Sequence, residues 1–343
     1  MRKIKIGVNV RFKNPEAFRR PWNEVYQEHL QYSALADALG FDGVWVAEHN
    51  CVPSGYNPTP FVALAAVAQV TKNCRIGTAP LLLPLYNPVL AAEQAAVVDV
   101  LSSGRLILCC GTGYYHGDFD VVGIPRNTRG ARMDEALPLL CKALWQREAF
   151  DHAGRFFGHK GVHLSPPPVQ EQMEVQVAIR SVAAARRVAL PGVNVNLNSP
   201  AVAKELGPRV AEIAASAGRN PAEIGVGLLL GGFLAGGEDK AVAAVRPFAA
   251  EEAREYIGFW NASSDAVDHK YRAIMEETLK QGAPLGCFTP EAFVTAIDQD
   301  IAIMAATGLR PDWINVNLWP PGMEFARAKE CLERFAAEVF PHV

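Results

Sequence analysis

Eight short runs of β-branched and aliphatic residues, each followed by a stretch of helical periodicity, predict an α/β fold: an eight-stranded (β/α)8 TIM-type barrel with insertions. The strand–helix alternation recurs nearly from end to end, as parallel strands joined by crossover helices require. At 343 residues the chain exceeds the roughly 250 typical of such a barrel. Two stretches that break the rhythm account for the excess. A doubly wound open sheet would show the same alternation without closing, and it is the competing arrangement.

The first strand is expected at residues 4–10, where charged and apolar positions alternate, and a helix at 25–39 ends before Gly40, suited to a helix terminus. Strand 43–48 precedes helix 59–70, strand 75–82 precedes helix 88–101, and strand 106–111 precedes helix 131–145. Residues 148–174 then hold aromatics, Gly154, Gly158, Gly161 and three consecutive prolines, the pattern of a small hairpin excursion. The alternation resumes with strand 175–179 and a short helix to Leu190, then strand 193–197 and a helix through Ala217. Strand 225–235 and a helix from Glu238 follow. A second, helical insertion at 258–308, polar and aromatic, is expected to act as a lid, with Phe259 and Trp260 as apolar lining. Strand 313–319 and helix 325–339 close the chain, and with no low-complexity linker residues 1–343 read as a single domain.

Composition narrows the function. Half of the chain is apolar, and 33 Lys and Arg face 36 Asp and Glu for a net charge of −3. That balance speaks against a nucleic-acid footprint, and no apolar stretch approaches the roughly 20 residues of a membrane span. No long apolar run or small-residue cleavage site follows the N-terminal strand, so a secretion signal is not expected. Seven cysteines, scattered without C-x-x-C pairing, fit reduced thiols in a cytoplasmic protein.

In barrels of this kind the chemistry sits at the C-terminal ends of the strands. His49 is the one histidine at such an end; it serves either as a proton-transfer group near neutral pH or as a hydrogen-bonded rim residue. Gly111-Thr112-Gly113 starts like a dinucleotide fingerprint, but the third glycine position is His116, so its small residues point instead to close backbone approach by a flat ligand. Arg180-Ser181 opens a helix and suits either a phosphate or plain N-capping. Asn194, Asn196 and Asn198 on one strand, and Asn315 and Asn317 on another, are either hydrogen-bonded barrel interior or polar lining for a ligand. Zinc motifs, a Gly-Lys-Ser/Thr phosphate loop and a G-x-S-x-G nucleophile elbow are absent, so no metal site is expected.

Several of these stretches together resemble the bacterial luciferase-like flavin-dependent monooxygenases. They are Gly40-Phe41-Asp42-Gly43-Val44-Trp45-Val46-Ala47-Glu48-His49, the run from Arg75 to Pro84, Asn87-Pro88 with Ala92-Glu93, Asp99 to Arg105, Arg129 to Glu135, and the ending Phe335 to Pro341. The resemblance spans nearly the whole chain and is densest over residues 20–145. It implies an eight-stranded barrel whose reduced FMN, supplied by a separate flavin reductase, reacts with oxygen to a flavin hydroperoxide that oxidises a small aldehyde, ketone or similar substrate. It places His49 at the family's catalytic histidine, Ala79-Pro80 at a cis peptide beneath the flavin ring, and Gly111, Thr112, Gly113 and Tyr115 beside that ring. Arg132 (or Arg129) and Ser181 fall near the phosphate, and Arg180, from its place beside Ser181, is a further candidate phosphate ligand. It also implies a homodimer. Many flavin-using members carry Glu-His-His where this chain has Glu48-His49-Asn50, and the usual proline after Ser181 is missing. A deazaflavin-dependent hydride-transfer enzyme on the same barrel is the alternative, followed by a flavin-binding protein without turnover.

Overall fold

A computed structural model describes residues 4–261, 266–281 and 286–343. The first half runs β1 (Lys5–Val10), α1 (Trp22–Ala38), β2 (Gly43–Val46), α2 (Pro60–Val70), β3 (Arg75–Thr78), the two-residue β4 (Leu81–Leu82) and α3 (Pro88–Leu101). It continues with β5 (Leu106–Gly111), α4 (His116–Asp120) and α5 (Arg129–Trp145). A hairpin of β6 (Phe150–Ala153) and β7 (Gly158–Val162) follows, then β8 (Glu174–Ala178), α6 (Val182–Ala185), β9 (Val193–Asn198) and α7 (Pro200–Ser216). The chain ends with β10 (Gly225–Gly231), α8 (Glu238–Asn261), α9 (Ala266–Gln281), α10 (Pro290–Ala306), β11 (Arg310–Asn317) and α11 (Phe325–Glu338).

The sheet order β3-β2-β1-β11-β10-β9-β8-β5 is closed by pairing of β3 with β5, so eight parallel strands form a complete ring. Closure excludes the open doubly wound sheet. Three helices start alike, with a capping side chain followed by proline. Asn87 accepts from Val89 N at 3.0 Å before Pro88, and Ser199 and Thr289 cap α7 and α10 before Pro200 and Pro290. The proline's missing N–H costs nothing at that position, and the caps satisfy donors the helices leave open.

The structure departs from the expected elements in several places: the strand expected at 225–235 ends at Gly231, the one expected at 313–319 runs Arg310–Asn317, and α4 was not expected. The run 75–82 is two strands, because Pro80 has no N–H for the ladder; the Ala79–Pro80 peptide is cis. In the segment 258–308, Phe259 and Trp260 form the last turn of α8, and α10 is the crossover helix that returns the chain to β11. Residues 262–265 and 282–285 of that segment lie outside the described residues.

Strand residues facing outward, such as Val8, Val44, Ile76, Leu108, Val177 and Ile314, pack under the helices. Inside the ring, Trp45 and Trp313 meet edge to face at 5.2 Å and, with Ile107, fill the middle. Glycines make room for them: a Cβ on Gly7 would lie 2.3 Å from Trp45 Nε1, and one on Gly77 2.5 Å from Trp45 Cζ3. Toward the N-terminal ends, Glu174 accepts from Gln176 and Asn194. Trp45, Trp313 and Ile107 thus plug the ring below its C-terminal mouth. All seven cysteines are free, and burial pushes the thiols of Cys109 and Cys141 up to about 12.

Candidate active site at the barrel mouth

The end of β2 delivers Glu48, His49 and Asn50 to the mouth. His49 is buried, its Nδ1 2.9 Å from Asp118 Oδ2 and its Nε2 3.2 Å from the Tyr114 hydroxyl. Asp118 is fully buried in α4, and its other oxygen accepts the Asn50 amide at 2.7 Å. A carboxylate accepts only, so it fixes the Nδ1–H tautomer and leaves the Nε2 lone pair to the tyrosine. Aromatic rings of Tyr56, Tyr114, Tyr115 and Phe259 surround the imidazole at centroid distances of 5.0, 5.4, 6.2 and 4.9 Å. Asp118 did not stand out in the sequence, since α4 is only a five-residue helix in a segment without a periodic pattern, whereas Tyr114 lies in the run from Gly111 to Tyr115 that the resemblance places beside the ring.

Above the tryptophan plug the inward positions shrink. Ala79 packs on the Trp45 cluster, and a Cβ on Gly111 would meet Pro80 Cγ at 2.5 Å and Ala178 Cβ at 3.8 Å. Ala79, Pro80, Gly111 and Ala178 thus form one low, apolar floor. Gly113, with φ at 77°, turns the chain away so that Tyr114 and Tyr115 stand beside it. The buried oxygens Asn9 Oδ1 and Asn317 Oδ1, and Asn315 Oδ1 deeper beside Gly7, have no hydrogen-bond partner among the described residues, whereas Asn194 and Asn196 are bonded to backbone amides of Gly225 and Asn198. A flat ligand with N–H groups on its edge would satisfy such oxygens, whose isolation otherwise costs about 1–3 kcal/mol each.

The residues expected near a phosphate are spread out. Ser181 caps α6, accepting from Ala184 N at 3.2 Å, and the Arg180 guanidinium lies 5.3 Å from the Tyr114 ring centroid. Arg132 donates to the Pro84 carbonyl at 2.8 Å and lies over the hairpin rings Phe156 and Phe157. Thr112 instead meets Arg187, whose guanidinium also joins Asp134 and the Gly130 carbonyl. Arg187 escaped the sequence reading because its link to Thr112 is made only by the fold.

Helix α8 roofs the mouth. Arg11 and Lys13, just past β1, are almost fully buried and form ion pairs with Glu252 and Glu255; Glu255 also accepts from Ser54. Tyr56 and Tyr256 join hydroxyl to hydroxyl at 3.0 Å, and the Lys13 ammonium sits 4.4 Å from the Tyr56 ring centroid. The helix thereby holds Phe259 over His49.

Two buried titratable groups near this end act in opposite directions. Burial pushes the Glu48 carboxyl up to about 7, although Leu82 N, Tyr86 and Asn50 donate to it. A carboxyl raised from 4.5 stabilises the fold fully below pH 4.5 and loses that contribution as the pH rises through about 7. Burial lowers His29, stacked 4.3 Å from Trp319, from 6.5 to about 4, so its contribution is full above pH 6.5 and is lost as the pH falls toward 4. The stability of the native chain relative to Glu48→Gln, measured by urea unfolding, is expected to drop by on the order of 3 kcal/mol between pH 4.5 and 7. A flat difference across that window would contradict it.

The family model described as luciferase-like monooxygenase matches residues 4–297. The chain belongs to the luciferase-like monooxygenase family. It is an oxidoreductase of that flavin-dependent group. A flavin-dependent trigonelline monooxygenase, oxygenase component, from Acinetobacter baylyi is 26% identical over 93% of this chain and 90% of that protein. The oxygenating constituent of 3,6-diketocamphane monooxygenase from Pseudomonas putida, solved with FMN, superposes with a TM-score of 0.77 at 20% identity over 99% of both chains. An F420-dependent secondary alcohol dehydrogenase superposes with a TM-score of 0.73 at 19% identity over 98% of this chain and 99% of that one. The same barrel thus houses both cofactor types in these two proteins. No helix among the described residues is long and apolar enough to cross a membrane.

Proposed function

We propose that the chain is the oxygenase of a two-component system, binding FMN reduced by a separate flavin reductase and oxidising a small organic substrate with molecular oxygen. The observation that carries this reading is the low floor of Ala79, Pro80, Gly111 and Ala178 beside the Asp118-held imidazole of His49. The floor suits a flat ring, the unpartnered Asn9 and Asn317 oxygens suit its N–H edge, and Thr112, Arg187, Ser181 and Arg180 suit its phosphate. When bound, reduced flavin supplies the electrons for oxygen chemistry. The chain's own work is to orient the ring between floor and tyrosines, to exclude water beneath Phe259 and Trp260, and to hold a proton at His49.

The test supplies FMN, NADH and a flavin reductase together with heavy-isotope oxygen and a panel of aldehydes, ketones and trigonelline. Isotope in an organic product supports the reading; no isotope uptake, together with reduction of a panel member when reduced deazaflavin is supplied in place of FMN, would replace it with hydride transfer. Binding of flavin with no product would favour a carrier.

The reading includes a homodimer. Val62 on α2 and Leu90, Val97 and Leu101 on the neighbouring α3 are all exposed, with Val62 at 68% and Leu90 at 55%. Exposed apolar side chains on paired helices fit a surface covered by a second copy. Light scattering is expected to give twice the chain mass for the wild type and the single mass for Val97→Glu.

A further inference from the structure

His49 offers no open nitrogen. Asp118 takes Nδ1, the Tyr114 hydroxyl takes Nε2, and the side chain is 7% exposed beneath Tyr56, Tyr115 and Phe259. Tyr114, three residues past the end of β5 and less buried than His49, carries the hydroxyl that meets Nε2, with the Arg180 guanidinium over its ring. We propose that Tyr114 is the group that exchanges protons with the bound ligand, as the outer end of an Asp118–His49–Tyr114 relay. The inference rests on the reading of the mouth as the flavin and substrate site.

The hydrogen bonds set the direction. With Nδ1–H donated to Asp118, Nε2 accepts the phenolic hydrogen bond. A proton leaving an acidic group of the ligand bonds to the Tyr114 oxygen as the phenolic proton passes to Nε2. The ligand keeps the electron pair of its broken bond and becomes an anion. The imidazole becomes imidazolium, and the buried Asp118 carboxylate balances it. The reverse sequence returns the proton, and tyrosine is unchanged after either. Among the described residues, the titratable or charged groups facing this pair include Glu48 beside His49, Tyr56 and Tyr115 around the ring, and Tyr256 and Arg180 beside Tyr114.

The experiment has two arms. In ligand-free protein with isotope-labelled histidine, nitrogen NMR is expected to show His49 protonated at Nδ1, with its Nε2 resonance displaced in Tyr114→Phe as the hydrogen bond is lost. Protonation at Nε2 in the wild type, or an Nε2 resonance indifferent to Tyr114→Phe, would overturn the relay. In the second arm, photoreduced FMN is mixed with oxygen and its oxidation on the protein is timed. Tyr114→Phe is expected to slow it about 100-fold with FMN affinity retained, and the double variant with His49→Ala to be no slower than His49→Ala alone. A wild-type rate in Tyr114→Phe, or multiplied losses in the double variant, would overturn the proposal. Failure of the wild type to take up FMN would remove the flavin reading and this proposal with it, and it shows before any variant is compared.

Discussion

Asp118→Asn is expected to lower the rate of flavin-dependent turnover by about 10²–10⁴-fold while leaving the fold intact. The argument starts from the two hydrogen bonds of the native carboxylate, one from His49 Nδ1 and one from the Asn50 amide. An asparagine can keep the second by presenting its oxygen to Asn50, which turns its NH2 toward Nδ1. The imidazole must then carry its proton on Nε2, and the Tyr114 hydroxyl must accept where it donated. The neutral amide also gives no charge to balance an imidazolium in a site where Asp118 is fully buried. Circular dichroism checks the fold, and timed oxidation of photoreduced FMN checks the rate. Wild-type turnover in Asp118→Asn would show that the imidazole needs no such partner.

Glu255→Ala is expected to cost about 3 kcal/mol of stability, measured by urea unfolding. Lys13 has only 1% of its side chain exposed, and Glu255 is its close partner; Glu252 stands 3.9 Å away and is engaged by Arg11. Removing Glu255 leaves an ammonium in a nearly closed aromatic setting, with Ser54 deprived of its acceptor. The double variant Lys13→Met with Glu255→Leu removes the charge as well as its partner, and most of the loss should return. A single variant as stable as the wild type would show that α8 is not held to the rim through this pair.

The ring was legible in the sequence because its signal is local and repeated. Strand 106–111 and helix 88–101 fall where the outward Leu108 and Cys110 and the Asn87–Pro88 start put them. Closure was inferred from the count of strands and is made by the β3–β5 pairing. His49, Gly111 and Pro80 were legible from position and from the resemblance. Asp118, 69 residues from His49, was not, since a buried carboxylate in a short helix differs in sequence from any surface aspartate. Arg187 and the Lys13–Glu255 pair were hidden for the same reason: their partners lie 75 and 242 positions away and meet only once the ring has closed. Paired charges on distant elements leave no periodic trace.

The account turns on the floor of the mouth being a seat for a flat redox ring. Ala178→Leu fills that floor with a side chain that the half-exposed position can accommodate without disturbing the tryptophan plug. Anaerobic titration with photoreduced FMN should show saturable binding to the wild type and at least about tenfold weaker binding to Ala178→Leu, a loss of about 1.4 kcal/mol. Equal affinity in the two proteins would place the flavin elsewhere and contradict the account.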